Sequence, residues 1–420
     1  MKKNVIVMLL VSLMVCVFVN SAAAAGVTLN QFTSGTTNDL MDEMCREFEN
    51  RNPGVSIERE AIRNEDLRTL AQVALASGTG PDVLYYDTGA GFGGVLARAG
   101  LLLPLENYYK QFGWDDRIFE WTKERTTYGG RVYGIGHELE FYGVYYNTKI
   151  FEKLGLSIPN DYDEFVAICE TLKSNGYIPI SFANQGGWPA YHMFSVFANN
   201  IAADRIDEIL FGDGRWDEPE IVEAIRLPFS EMASNGYFIP GTNGVAFDDG
   251  NMLFYTGKAA MHITGTWMIS GIEENCKPGE IGFFFFPSIK GSPVRPAAGL
   301  GSGYFISSKT AHPELAAKFL DFLFSEEMSV KWLESGEIPP MDIDVDTVNL
   351  SPLLEFALEV LTSSSDMGHN IDVLTPQNFN EVMNNGFQAV IAGLKTPEEQ
   401  AADLQAAWDK AKEEGLVLGQ

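Results

Sequence analysis

Positive charge is scarce in this chain. Its 420 residues include 29 Lys and Arg against 57 Asp and Glu, a formal charge of −28 at pH 7. Nucleic acid and anionic membrane surfaces would repel such a chain, so neither is an expected partner. Cysteine is also scarce, with only Cys16, Cys45, Cys169 and Cys276. The five histidines (His137, His192, His262, His312 and His369) are scattered, and neither C-x-x-C nor H-E-x-x-H occurs. No metal site has recognisable ligand spacing, and no metal or cofactor is expected. Beyond the N-terminus no run approaches the 18 or so apolar residues that a membrane span needs.

The N-terminus is the exception. "MKKNVIVMLLVSLMVCVFVNSAAAAG" places two lysines before an apolar run from Val5 to Val19, then small residues. This is the pattern of a Sec-type signal peptide over residues 1–25, cleaved near Ala24 or Ala25, and it predicts a periplasmic protein. A lipid anchor on Cys16 is not expected, because Met14 and Val15 stand where a lipobox wants small residues. The three remaining cysteines leave at least one unpaired. Free buried thiols are expected, since a core this large does not depend on disulfide staples.

With 45% hydrophobic and 20% charged residues, the chain is globular and long enough for two or three domains. "VTLNQFTSG" reads as a strand. A helix follows with Leu40, Met41, Met44, Cys45 and Phe48 on one face, then the strand "VSIERE". Leu67, Leu70, Ala71, Ala74 and Leu75 mark a second helix, and "PDVLYYDTG" a buried strand ending at Asp87. Alternation of this kind indicates an α/β fold with a parallel sheet, whose ligands bind beyond the C-terminal strand ends. Tyr133 to Asn147 is extended and aromatic-rich. "EIGFFFFPSIKG" is a strand buried on both faces, and "HPELAAKFLDFLFSEEMSVKWLES" reads as one amphipathic helix. There are no repeats and no long linkers, so the chain crosses between lobes several times.

Several catalytic patterns fail. Gly257-Lys258 lacks the rest of a phosphate loop, and Ser302 in "GLGSGY" lacks the spacing of a nucleophile elbow. Gly89, Gly91 and Gly94 do match G-x-G-x-x-G, but after a third strand and in an exported chain. They read better as a turn that opens the helix "VLARAG". What remains is a set of carboxylates and aromatics near predicted strand ends: Asp87, Glu138, Glu140, Trp188, Asp248 and Trp267. Carboxylates accept from hydroxyls, and aromatic faces cover the C–H face of a pyranose. This is a vocabulary for binding sugar, although each residue taken singly could serve only the core or a solvated turn.

"GPDVLYYDTG", "AGLLLPLENYY", "GVYYNTKIFEKLGL", "FDDGNMLFYTGKAAMHITGTWM", "FFFFPSIKG" and "GLGSGYFISSKTAHPELAAKFLDFLFSEE" together resemble the extracellular solute-binding proteins (family 1) of ABC importers, in the carbohydrate group that includes maltodextrin-binding proteins. The likeness covers nearly the whole chain after residue 25. It implies a two-lobed periplasmic-binding-protein fold (type II) with ligand between the lobes and three crossings, near Glu138–Tyr142, Phe284–Phe286 and Ile338–Met341. One lobe would comprise residues 26–139 and 286–338, the other 140–285 and 339–420. It also implies a sugar stacked on Trp267 and polar contacts from Asp87, Glu140 and Asp248. Gly301 and Ser302 would form a turn after the second crossing, and Thr33, Ser34 and Gly35 the first strand end. Trp188 and His192 would act as specificity residues. The implied partners are a small-molecule carbohydrate and a membrane ABC permease, and a monomer without enzymatic activity is expected. A secreted glycosidase and a binder of another solute, such as a polyamine, are the alternatives the residues leave open.

Overall fold

A computed structural model describes residues 26–35, 39–344, 348–362 and 366–417. The expected signal peptide and Cys16 lie outside them. The strands β1 (Val27–Ser34), β2 (Val55–Ile62) and β3 (Val83–Asp87) alternate with helices and pair in parallel. A two-strand hairpin follows, β4 (Thr127–Tyr128) with β5 (Arg131–Val132). Next come β6 (Gly134–Gly136), β7 (Glu140–Asn147), β8 (Ile178–Ile180), β9 (Ala259–Gly265), β10 (Ile281–Phe284), β11 (Ala297–Gly299), β12 (Ser302–Ile306) and β13 (Gly368–His369).

These strands build two sheets and hence two lobes. Lobe 1 has the order β2-β1-β3-β12-β6, and lobe 2 the order β13-β11-β7-β9-β8 with β10 also on β7. Each sheet has its own core. In lobe 1 Leu29, Val83, Tyr304 and Ile306 meet Met41, Phe48 and Phe319. In lobe 2 Val144, Met261 and Ile263 meet Phe194, Phe229 and Trp408. β9 is buried along its whole length, as a central strand covered on both faces should be. Local chemistry sets the helix starts. Asn147 caps Thr148–Leu154 through the Ile150 amide at 3.0 Å, and Asp161 caps Tyr162–Ser174 through Glu164 at 2.9 Å.

The crossings differ in part from expectation. The first lies between β6 and β7, across His137–Leu139. The second is not near Phe284–Phe286. β10 and β11 both pair with β7, and Asp161 bridges to Ser288, so residues 281–299 stay with lobe 2. The chain passes to lobe 1 at Leu300–Gly301, directly into β12. Three-residue β11 is Ala-Ala-Gly, with no β-branched residue to announce a strand. At the third crossing the Leu139 amide donates to Ile338 O at 2.7 Å, which ties the first and third together. Met341 still bridges to Ile118 of lobe 1, so the passage comes after it.

Two smaller readings also change, and the expected free thiols are found. The helix expected from His312 to Ser335 is two helices, Pro313–Leu323 and Glu326–Glu334, because Ser325 caps the second through the Met328 amide. Leu70 is 41% exposed rather than buried beside Leu67 and Ala71. Cys45, Cys169 and Cys276 are free thiols, the first two buried and the third half-buried.

Candidate functional site

The strand ends of both lobes open on one cavity of about 660 Å³ between them. From lobe 1, Ser34 and Gly35 reach it at the end of β1, Asp87 at the end of β3, and Gly301 and Ser302 at the start of β12. Asp87 and Ser302 are direct partners in the β3–β12 ladder. From lobe 2 come Glu140 at the start of β7, Trp188 and His192 on the helix Trp188–Ile201, Asp248 on the helix Phe247–Tyr255, and Trp267 just after β9. Thr33 does not line the cavity. Strand alternation turns it away from Ser34, and its Oγ1 accepts from Arg59 Nη1 at 3.0 Å.

On lobe 1 the polar groups are already matched to one another. Arg68 donates to both oxygens of Asp87, Nε and Nη2 each at 2.8 Å, while its guanidinium lies over the Phe92 ring at 4.9 Å. Ser302 Oγ donates to the Tyr85 hydroxyl at 2.7 Å.

Lobe 2 presents rings. His192 stacks on Tyr142 with centroids 4.8 Å apart and a 29° tilt, and lies 5.0 Å from Trp267 and 5.1 Å from Trp188. Trp188 packs on Phe247 at 4.4 Å. Burial among these rings, with Arg68 nearby, lowers the His192 pKa to about 3, so the imidazole is neutral. Trp267 folds back over Gly265, where a Cβ would lie 1.8 Å from the indole. The glycine therefore lets the largest side chain of the strand end turn into the cleft.

Beside the rings stands a set of buried polar groups that sequence reasoning missed or left unplaced. Asn370 is 1% exposed and Asp372 2% exposed, and both line the cavity. Both amide atoms of Asn370 and Oδ1 of Asp372 are buried without a hydrogen-bond partner. So is Oε2 of Glu138 at the first crossing. Burial, then Asp372 and Asp87, raise the Glu140 pKa to about 8 against the opposing effect of the Gly301 amide. Burial likewise raises Asp372 to about 7, partly offset by Arg68. Buried polar groups are ordinarily paired, so unpaired ones converging on a cavity mark where a ligand supplies the partners. Arg68 carried no local signal, since a lone Arg on a helix usually faces water. Asn251, held by His262 Nε2 at 3.0 Å, was equally silent.

The lobes also touch at the rim. Gly89, at φ 84°, approaches Val373 so closely that a Cβ would lie 2.0 Å from its carbonyl oxygen. A Cβ on Gly91 would lie 2.9 Å from both Thr375 O and Asn380 Nδ2. The G-x-G-x-x-G turn is thus a place where lobe 1 backbone seats against lobe 2.

Residues 34–329 match the family model described as bacterial extracellular solute-binding protein. The multiple sugar-binding protein of Streptococcus mutans serotype c is 25% identical over 333 residues, which are 74% of this chain and 74% of that protein. Among solved structures, a chitin oligosaccharide binding protein superposes with a TM-score of 0.82 at 25% identity, covering 92% of this chain and 99% of its own. Maltose-bound MalE3 of T. maritima superposes at 0.76 with 19% identity, covering 92% and 100%, which shows the shared two-lobed fold.

Proposed function

Since the chain belongs to the bacterial extracellular solute-binding proteins, we propose that it captures a sugar in the interlobe cleft and delivers it to a membrane ABC permease. One observation carries this reading. An aromatic wall of Trp188, His192 and Trp267 shares one cavity with the unpartnered buried polar groups of Asn370 and Asp372. A pyranose presents both complements, an apolar C–H face and a rim of hydroxyls. At about 30 Å³ per water the cavity holds roughly 22 waters, comparable in heavy atoms to a disaccharide. Relatives named for multiple sugars and for chitin oligosaccharide support the same ligand class.

Ligand touching both walls favours the closed arrangement, and closure signals a loaded protein to the permease. Export to the periplasm and a monomeric state fit this role. The chain acts as a binder, with no chemical step assigned to the cleft.

The test is a thermal-shift screen of residues 26–420 against mono-, di- and trisaccharides, with spermidine and putrescine as controls. Ligand at 100 times its Kd stabilises by about 2.7 kcal/mol, a rise of roughly 2–4 °C at this size. A rise with a saccharide that disappears in Trp267→Ala supports the reading. A rise only with polyamines overturns it.

A further inference from the structure

We propose that the sugar carries a free amino group, bound as its ammonium between Glu140 and Asp372 with Asn370 as the third acceptor. This rests on the sugar-capture reading and narrows it to aminated saccharides.

The first observation is a charge imbalance. Six carboxyl side chains but only two guanidiniums line the cavity. Both guanidiniums are committed within lobe 1, Arg63 to Asp66 at 2.7 Å and Arg68 to both oxygens of Asp87. His192, which also lines the cavity, is neutral. Among the described residues neither Glu140 nor Asp372 forms an ion pair, and each holds its proton more tightly, first because it is buried and then because of Asp372 and Asp87 near Glu140 and Asp87 near Asp372. Neither buried carboxyl has an ion-pair partner that would hold it ionised, and a ligand cation would supply that partner and displace the proton.

The second observation is a count of donors and acceptors. Among the described residues Asp372 Oδ1 and Asn370 Oδ1 are buried acceptors without donors, and the Glu140 carboxyl accepts from the Gly301 amide. The sheet sets them around a gap. The Asn370 amide donates to Ala298 O at 2.9 Å, and Gly299 pairs with Glu140, so side-chain-free Gly299 separates Asn370 from Glu140. A hydroxyl brings one donor to this gap, whereas an ammonium brings three and the opposite charge. The neighbouring rings add to the preference, because aromatic faces attract a cation.

Isothermal titration calorimetry of residues 26–420 tests this. Glucosamine and galactosamine are each compared with their N-acetyl and 2-hydroxy counterparts, as monosaccharides and as β1,4-linked disaccharides, slightly below neutral pH where the amine is charged. The expected result is at least tenfold tighter binding of an amino form than of its matched hydroxyl form. In Asp372→Asn and in Glu140→Gln, both near-isosteric, that ratio should fall towards one. Circular dichroism confirms that each variant is folded, and either variant alone suffices. An acetamido or hydroxyl form that binds as tightly as the amine overturns this proposal and leaves sugar capture standing. So does a ratio unchanged in a folded variant. Binding of spermidine or putrescine with no saccharide binding overturns both.

Discussion

The two walls of the cleft are built on different principles. Lobe 1 offers polar groups whose bonds are already made: Arg68 clamps Asp87, and Ser302 is held by Tyr85. Lobe 2 offers a cluster of packed rings lining the cavity, and buried polar atoms at Asn370 and Asp372 that no group among the described residues satisfies. A wall that is satisfied costs nothing to leave empty and gains little from a ligand. A wall left unsatisfied costs stability when empty and recovers it on binding. Lobe 1 thus supplies a rigid backstop, and lobe 2 supplies recognition.

The largest expected effect comes from breaking the backstop. Arg68→Ala leaves a largely buried carboxylate unpaired and should cost ~3 kcal/mol of unfolding free energy, read from urea denaturation. The double replacement Arg68→Met with Asp87→Leu should recover most of it, because the pair is structural. Next in size, Trp267→Ala removes one of the two indoles of the recognition wall. It should weaken saccharide binding roughly 100-fold, or ~2.8 kcal/mol by calorimetry.

The unsatisfied wall also has a pH signature. The Glu140 carboxyl keeps its proton to about pH 8 in the fold, against an ordinary value of 4.5, because burial and then Asp372 and Asp87 oppose its charge. A raised pKa means stability that is full below 4.5 and is lost as pH rises through 8. Glu140→Gln removes that loss. The unliganded variant should therefore gain on the native protein as pH rises across this window, by about 2 kcal/mol at the alkaline end in denaturation series.

The smallest effect concerns the contact between the walls. Gly91 has an ordinary backbone conformation, so Ala fits lobe 1 alone, but its Cβ would press on Thr375 and Asn380 when the lobes meet. Gly91→Ala should weaken ligand binding about tenfold, ~1.4 kcal/mol. The unliganded melting temperature should stay unchanged while small-angle scattering shows a larger radius of gyration with ligand present.

The same contrast governs what the sequence discloses. Lobe 1 is built largely from consecutive strand–helix units, so Ser34 and Asp87 could be placed at strand ends from local pattern, while Ser302 came only from the family likeness. The run from Phe254 to Trp267 was readable through the family likeness it carries, which implied a cleft position for Trp267. Thr33 was misplaced because the alternation at the last residues of β1 depends on register. β11 was invisible because Ala-Ala-Gly is held as a strand only by its neighbours. Asn370 and Asp372 lie in "GHNIDV", which has no periodicity of its own. Its position is set by Asn199 Oδ1, which accepts from the His369 amide at 2.9 Å, and by Ser195 Oγ, which accepts from the Ile371 amide at 3.1 Å. Such partners lie far away in the chain, and no window of sequence contains them.

The most direct test of this division is calorimetric titration of the saccharide bound most tightly in the thermal screen, using matched truncations on the two walls. Asn370→Ala removes the unsatisfied amide of lobe 2, and Ser302→Ala removes a hydroxyl that lobe 1 has already engaged. The account predicts one-to-one saccharide binding that weakens at least tenfold more in Asn370→Ala than in Ser302→Ala. Equal losses, or a larger loss in Ser302→Ala, would contradict it.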